Sequence, residues 1–174
     1  TPALSGGYPK SISEEWDGLD PTLAIHPVTG EPLSSFSEYP MDACFHVGRA
    51  GYYGDSIADD DDHRSYFFRG DLYWRYNHGS GVPDGYPKTY GDGTGRWEGV
   101  PHNLDAATYR MIVDNVDTVP QPAHIGEWTH IYYFFKGTQY WKYNAGSGVP
   151  DGYPKNIEDQ WGETDIANGQ SAQY

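Results

Sequence analysis

The sequence predicts an all-β protein assembled from repeated units of four short antiparallel strands. Three observations carry that expectation. The nonapeptide SGVPDGYPK occurs twice without change, at Ser80–Lys88 and Ser147–Lys155, and a shorter GGYPK stands at Gly6–Lys10. The composition is aromatic, with 16 Tyr and 6 Trp, and rings with polar tips suit strands that are dry on one side and wet on the other. Gly and Pro are frequent enough, at 22 and 13 residues, to punctuate many tight turns.

The elements follow in order along each unit. The two nonapeptides lie 67 residues apart, and the same offset lays YFFRGDLYWRYN (Tyr66–Asn77) on YFFKGTQYWKYN (Tyr133–Asn144) without a gap. Upstream, MDACF (Met41–Phe45) matches LDAAT (Leu104–Thr108) at an offset of 63. The difference is absorbed between the Asp-Ala motif and the YFF motif, which are separated by 24 and 28 residues, counted Asp to Tyr. The Asp-Ala segments read as innermost strands, where small side chains let several strands converge. After a variable loop, YFF is a second strand, ended by the glycine of RGD or KGT in a hairpin turn. In YWRY the alternation sends Tyr73 and Arg75 to one face and Trp74 and Tyr76 to the other. VPDGYP reads as a rigid turn, with Pro fixing φ and Gly in the left-handed region. Each unit closes on a segment ending in Trp-x-Gly or Trp-Gly: Thr89–Gly99, Asn156–Gly162 and Ser11–Gly18. The last of these, SISEEWDG, has a serine cap and first-turn acids suited to one helical turn.

Four short strands around a small-residue inner strand is the pattern of a β-propeller blade. The motif string as a whole resembles the hemopexin-like repeat. The resemblance rests on Met41–Phe45, Tyr66–Tyr76, Gly85–Lys88 and Trp97–Gly99, and again on Leu104–Thr108, Tyr133–Tyr143, Gly152–Lys155 with Ile157, and Trp161–Gly162. It divides the chain into an outer half blade (1–18), a Pro-rich linker or arm (19–40), complete blades at 41–99 and 104–162, and a tail or partial strand (163–174) in which Asp165-Ile166-Ala167 faintly echoes an inner-strand opening. The family's propeller has four blades, closed in many members by a disulfide. Here two complete blades and one half are expected, and the single cysteine excludes an intrachain disulfide. Uncovered blades expose strand edges and apolar faces. The chain is therefore expected to be a fragment, or to complete its propeller by self-association as a closed ring or an open fibre. The stretch Leu19–Pro40 reads either as an arm that reaches to a neighbour or as a surface loop packed through Ile25, Leu33 and Phe36.

Charge and motifs narrow the function. A formal net charge of −14 argues against nucleic acid, whose binders gather Lys and Arg on one face, and against anionic membrane surfaces. No run of 18 apolar residues encodes a membrane span, and TPALSGGYPK lacks a signal-peptide pattern. There is no G-x-S-x-G, P-loop or H-E-x-x-H, so no enzyme activity is expected. What the resemblance implies is an extracellular, secreted interaction scaffold that binds itself, another protein or a glycan. A fibre or matrix subunit, and a carrier of a small ligand (haem, a polyamine or a metal), are the alternatives.

The resemblance also implies an ion on the propeller axis, Ca2+ or another small ion. Backbone carbonyls of Asp42 and Asp105 would hold it, with those of Ala43 and Ala106 deeper, since hard oxygen ligands suit Ca2+. The alternative is that the two aspartates only cap strand starts. The run ADDDDHR (Ala58–Arg64) lacks EF-hand spacing and reads as a solvated acidic loop. His124 and His130 match no zinc spacing, and haem is not expected. Arg69-Gly70-Asp71 spells an integrin-binding triplet, but Lys136-Gly137-Thr138 fills the same place, so the turn needs the glycine alone. Cys44 reads as a small buried hydrophobe within a strand, or else as an intermolecular bridge.

Overall fold

The computed structural model describes residues 16, 18–20, 22, 24–36, 38–48, 63–91, 96–113 and 128–161. The N-terminal GGYPK, the acidic run Asp59–Asp62, His124 and the segment 162–174 lie outside the described residues. The described strands are β1 (Ala43–Gly48), β2 (His63–Arg69), β3 (Leu72–Asn77), β4 (Lys88–Thr89), β5 (Ala106–Val113), β6 (Trp128–Lys136), β7 (Gln139–Asn144) and β8 (Lys155–Asn156). A five-residue helix, α1 (Ile157–Trp161), follows β8 directly. The strands form two antiparallel four-stranded meanders, in the orders β1-β2-β3-β4 and β5-β6-β7-β8.

The two offsets of the sequence survive as register. Cys44 pairs with Phe67 and Ala107 with Phe134, which keeps the inner strands 63 apart and the second strands 67 apart. The four extra residues of the second unit lengthen its first two strands: β5 has eight residues against six in β1, and β6 nine against seven in β2. The β2–β3 and β6–β7 turns are also alike. Gly70 and Gly137 sit at φ 62° and 58°, a region that costs a side-chain-bearing residue ~1–2 kcal/mol.

Both copies of the nonapeptide fold the same way. Gly81 and Gly148 bridge back to Asn77 and Asn144, while Gly85 and Gly152 have φ of 81° and 86°. Tyr86–Pro87 and Tyr153–Pro154 are both cis. Tyr86 stands edge-on to Tyr73, and Tyr153 to Tyr140, each pair with centroids 5.6 Å apart. The lysine that ends each copy lies over the same tyrosine ring, at 4.8 Å for Lys88 and 5.1 Å for Lys155.

The main core lies between the sheets. Alternation along β1 to β3 turns Ala43, Phe45, Val47, Tyr66, Phe68 and Tyr73 inward, where they meet Tyr132 and Phe134 of β6. Trp97 fills the junction at 0% exposure. Its indole contacts Tyr66 and Phe68 on one sheet and Tyr132, Phe134 and Tyr143 on the other, at centroid distances between 4.8 and 5.9 Å. A second core covers the opposite side of the first sheet, where Leu19, Phe67, Leu72 and Trp74 pack with Trp16, Leu33 and Phe36. The segment that includes Leu33 and Phe36 makes a small hairpin, bridged at Ile25–Pro32, and Ile25 itself is 61% exposed.

The inward turn of Ala43, Phe45 and Val47 has a consequence for the residue between them. Cys44 is exposed, which corrects the expectation of a buried thiol. A strand's alternation sends neighbours to opposite faces, and the face of Cys44 is roofed only in part.

Candidate functional site

Three surfaces come from the repeat. The first is the beginning of the inner strands, where the axial carbonyls were expected. Asp42 and Asp105 occupy equivalent places: their N–H groups donate to the carbonyls of Phe68 and Phe135 at 2.9 Å. Their carboxylates accept from the turn glycines, Gly70 N–H at 2.7 Å and Gly137 N–H at 2.6 Å. The side chain of the Asp-Ala motif thus caps the β2–β3 or β6–β7 turn, which explains why Asp precedes each inner strand. Ala43 is 8% exposed at the sheet junction, whereas Ala106 is exposed.

The Arg-Gly-Asp triplet sits in the first of these turns, and its arginine points inward. Arg69 is 7% exposed, donates through Nη1 to the carbonyls of Ser34 (2.8 Å) and Tyr39 (3.3 Å), and lies over the Phe36 and Trp74 rings. Burial pushes the guanidinium down from its usual value, opposed by the charge of Asp42. Asp71 meets the His26 ring at 3.2 Å. The triplet therefore pins the 24–40 segment to the first sheet.

The second surface is the far side of the second sheet, turned away from the junction. It presents Ala106, Thr108 and Arg110 from β5, all exposed, then Tyr133, Phe135 and Tyr140. Trp161 at the end of α1 stands edge-on to those three rings, at centroid distances of 5.6 to 5.8 Å. Trp161 is the repeat equivalent of Trp97, yet it is 49% exposed. Nothing described covers it as Tyr132 and Phe134 cover Trp97.

The third surface is the unroofed part of the first sheet's far side. It gathers three imidazoles that sequence reasoning passed over. His46 lies 3.2 Å through Nδ1 from Ser65 Oγ, and His78 lies 3.2 Å through Nε2 from the same oxygen. His63 stacks on His46 with centroids 6.0 Å apart. Burial, then the charges of His78 and His63, hold His46 below the usual histidine range. The signal was present in the alternation of CFHVG and HRSYFF, but the pairing of those strands depends on a loop whose length gives no register. In the second sheet the equivalent places hold Tyr109 and His130, hydrogen-bonded at 2.8 Å.

Comparison with known proteins agrees with the repeat geometry. The hemopexin family profile matches residues 55–93 and 127–162, one stretch in each sheet. Human vitronectin is 33% identical over 141 residues, covering 81% of this chain and 20% of that protein. Rabbit (Oryctolagus cuniculus) vitronectin is 31% identical over the same length, again 81% and 20%. Matrix metalloproteinase-21 of Xenopus laevis is 32% identical over 112 residues, covering 62% of this chain and 15% of that protein. The chain thus spans about a fifth of the length of the curated vitronectins it matches. A solved 2S albumin seed protein from Dolichos overlaps at TM-score 0.39 and 18% identity, covering 75% of this chain and 53% of that chain, too loosely to carry a structural argument.

Proposed function

Because this chain belongs to the hemopexin-like repeat family, we propose that it is a non-enzymatic, extracellular protein-interaction scaffold that docks on a second copy of itself through the far side of its second sheet. The observation that carries this reading is the difference between two equivalent tryptophans, Trp97 at 0% exposure and Trp161 at 49%. The first shows what kind of surface such an indole packs against: an aromatic sheet face. Charge supports the same partner. Arg110 is exposed on this side and Lys142 shares it, two cations on a chain of net charge −14, so an acidic partner such as a second copy fits. The extracellular part of the reading rests on the likeness to vitronectin. The absence of enzyme activity rests on the missing catalytic motifs and on the family.

Light scattering behind size-exclusion chromatography tests the docking. The wild-type chain moves from monomer to dimer mass as concentration rises. Trp161→Glu holds it at monomer mass. A wild-type chain that stays monomeric at every concentration overturns self-association and leaves the face to another protein or a glycan. Masses that grow without limit, with filaments under the electron microscope, select the fibre instead. The axial ion belongs to the same reading. With the Asp42 and Asp105 carboxylates committed to the turns, the oxygens left for Ca2+ are the carbonyls of Asp42, Asp105, Ala43 and Ala106. A melting temperature that is the same in Ca2+ and in EDTA removes that ion.

A further inference from the structure

The histidines on the far side of the first sheet form a site that neither docking nor the axis uses. The register places Ser65 opposite His46 and His63 opposite Gly48. His78 follows β3 directly, its N–H bonded to the His63 carbonyl at 3.0 Å. Lower on the same side, Phe67 and Trp74 are covered, but His46 and His78 are exposed. Three imidazoles therefore share one open corner.

Ser65 is 5% exposed and its oxygen touches both His46 Nδ1 and His78 Nε2 at 3.2 Å. A hydroxyl has one proton to give. If His46 Nδ1–H donates to Ser65 and the Ser65 hydroxyl donates to His78 Nε2, the His46 Nε2 lone pair is free. This is the arrangement that orients metal-binding histidines, in which the second ring nitrogen donates to an oxygen. A cation at Nε2 selects it over the reverse one.

Gly48 supplies the space. A Cβ built on this residue would lie 3.0 Å from His46 Nε2 and 3.7 Å from His63 Nδ1. Both ring nitrogens thus border the volume that any other residue would fill. We propose that His46 Nε2 and His63 Nδ1 chelate one borderline divalent transition cation of the Zn2+ class beside Gly48, with water completing its coordination and Ser65 and His78 as positioning residues. Imidazole selects such cations over Ca2+ and Mg2+, which prefer oxygen. His46 is exposed and His63 half-buried on the sheet rim, where the rings can rotate to the roughly 2.0–2.1 Å that zinc–nitrogen bonds need. Among the described residues no group of three or more His, Cys, Asp or Glu is placed to hold a metal, so the site is a two-nitrogen chelate.

The test uses the full chain carrying Cys44→Ser, to remove the nearby thiol, and an excess of Mg2+, to occupy carboxylates. Calorimetric titration with Zn2+ is expected to give one site. His46→Gln and His63→Gln each weaken it by roughly tenfold or more, and Ser65→Ala by a smaller factor. Gly48→Ala keeps both rings but fills the space, and weakens binding as much as losing a ring. His130→Gln, on the other sheet, leaves it unchanged. In parallel, 15N side-chain NMR of the unmutated histidines is expected to shift His46 Nε2 and His63 Nδ1 on Zn2+ addition, a readout that needs no foldable variant. No Zn2+ binding in the presence of Mg2+, unchanged affinity in His46→Gln, His63→Gln or Gly48→Ala, or unshifted nitrogens would overturn the site.

Discussion

Trp97 and Trp161 are the same residue of the same repeat in two surroundings. The first is wedged between two sheets and touches rings on both. The second rests on Tyr133, Phe135 and Tyr140 of its own sheet only. Their local sequences do not explain the difference, since both follow a Gly-Tyr-Pro-Lys turn and an outer strand. What differs is the neighbour. The repeat encodes a sheet with two faces that each want a cover, and burial is a property of the stack rather than of the residue. The polar substitutions agree: where β1 presents Phe45 and Val47 to the junction, β5 presents Thr108 and Arg110 outward.

The largest effect that would sharpen this comparison is the loss of each indole. Trp97→Ala is expected to cost roughly 3–5 kcal/mol, because the sheets cannot collapse onto so large a cavity. Trp161→Ala removes only edge contacts and costs about 1 kcal/mol. Urea denaturation of dilute protein measures both, and equal costs would break the contrast. A smaller effect separates the two capping aspartates. Asp42→Ala strands the Gly70 N–H in a half-buried turn and is expected to cost about 1–2 kcal/mol. Asp105→Ala costs less, since water reaches Gly137. Thermal melts of the two variants compare them directly.

The smallest effect appears at alkaline pH. Burial, with Tyr66 beside it, pushes the Tyr132 phenol up to about 12, against about 10 for a free tyrosine. The fold therefore favours the neutral ring. Its contribution is complete below pH 10 and is lost as pH rises from 10 towards 12. The urea midpoint is expected to hold steady to about pH 9.5 and then fall, and Tyr132→Phe should flatten part of that fall. An unchanged decline in the variant would mean that other tyrosines of the junction dominate.

The strands and their order were legible in the sequence because duplication acts as an internal ruler. Two offsets, 63 and 67, locate a length difference between the first two strands of each unit, which appears as two extra residues in each of β5 and β6. The turn chemistry was legible for the same reason, since Gly70 and Gly137 hold one position with different neighbours. What the sequence withheld depends on which face is covered and by what. Cys44 reads as buried until one sees that its strand neighbours own the junction. Arg69 reads only as a neighbour of the turn glycine until Phe36 and the Ser34 carbonyl close over it. The histidine corner needs both the alternation of β1 and a pairing across a loop of unknown geometry. For Asp42 the sequence offered an axial carbonyl or a strand-start cap, and the turn cap was in neither reading; the carboxylate's contact with Gly70 N–H reveals it.

The two copies of SGVPDGYPK have a consequence outside the fold. Each bears an exposed Asp-Gly tip, Asp84-Gly85 and Asp151-Gly152, on the same backbone path. An antibody raised against the nonapeptide therefore meets two identical epitopes on every chain. Such a chain can cross-link immunoglobulins without forming any oligomer, and it gains avidity on a surface coated with the antibody. A stoichiometry of two Fab fragments per monomer would record the duplication directly in solution.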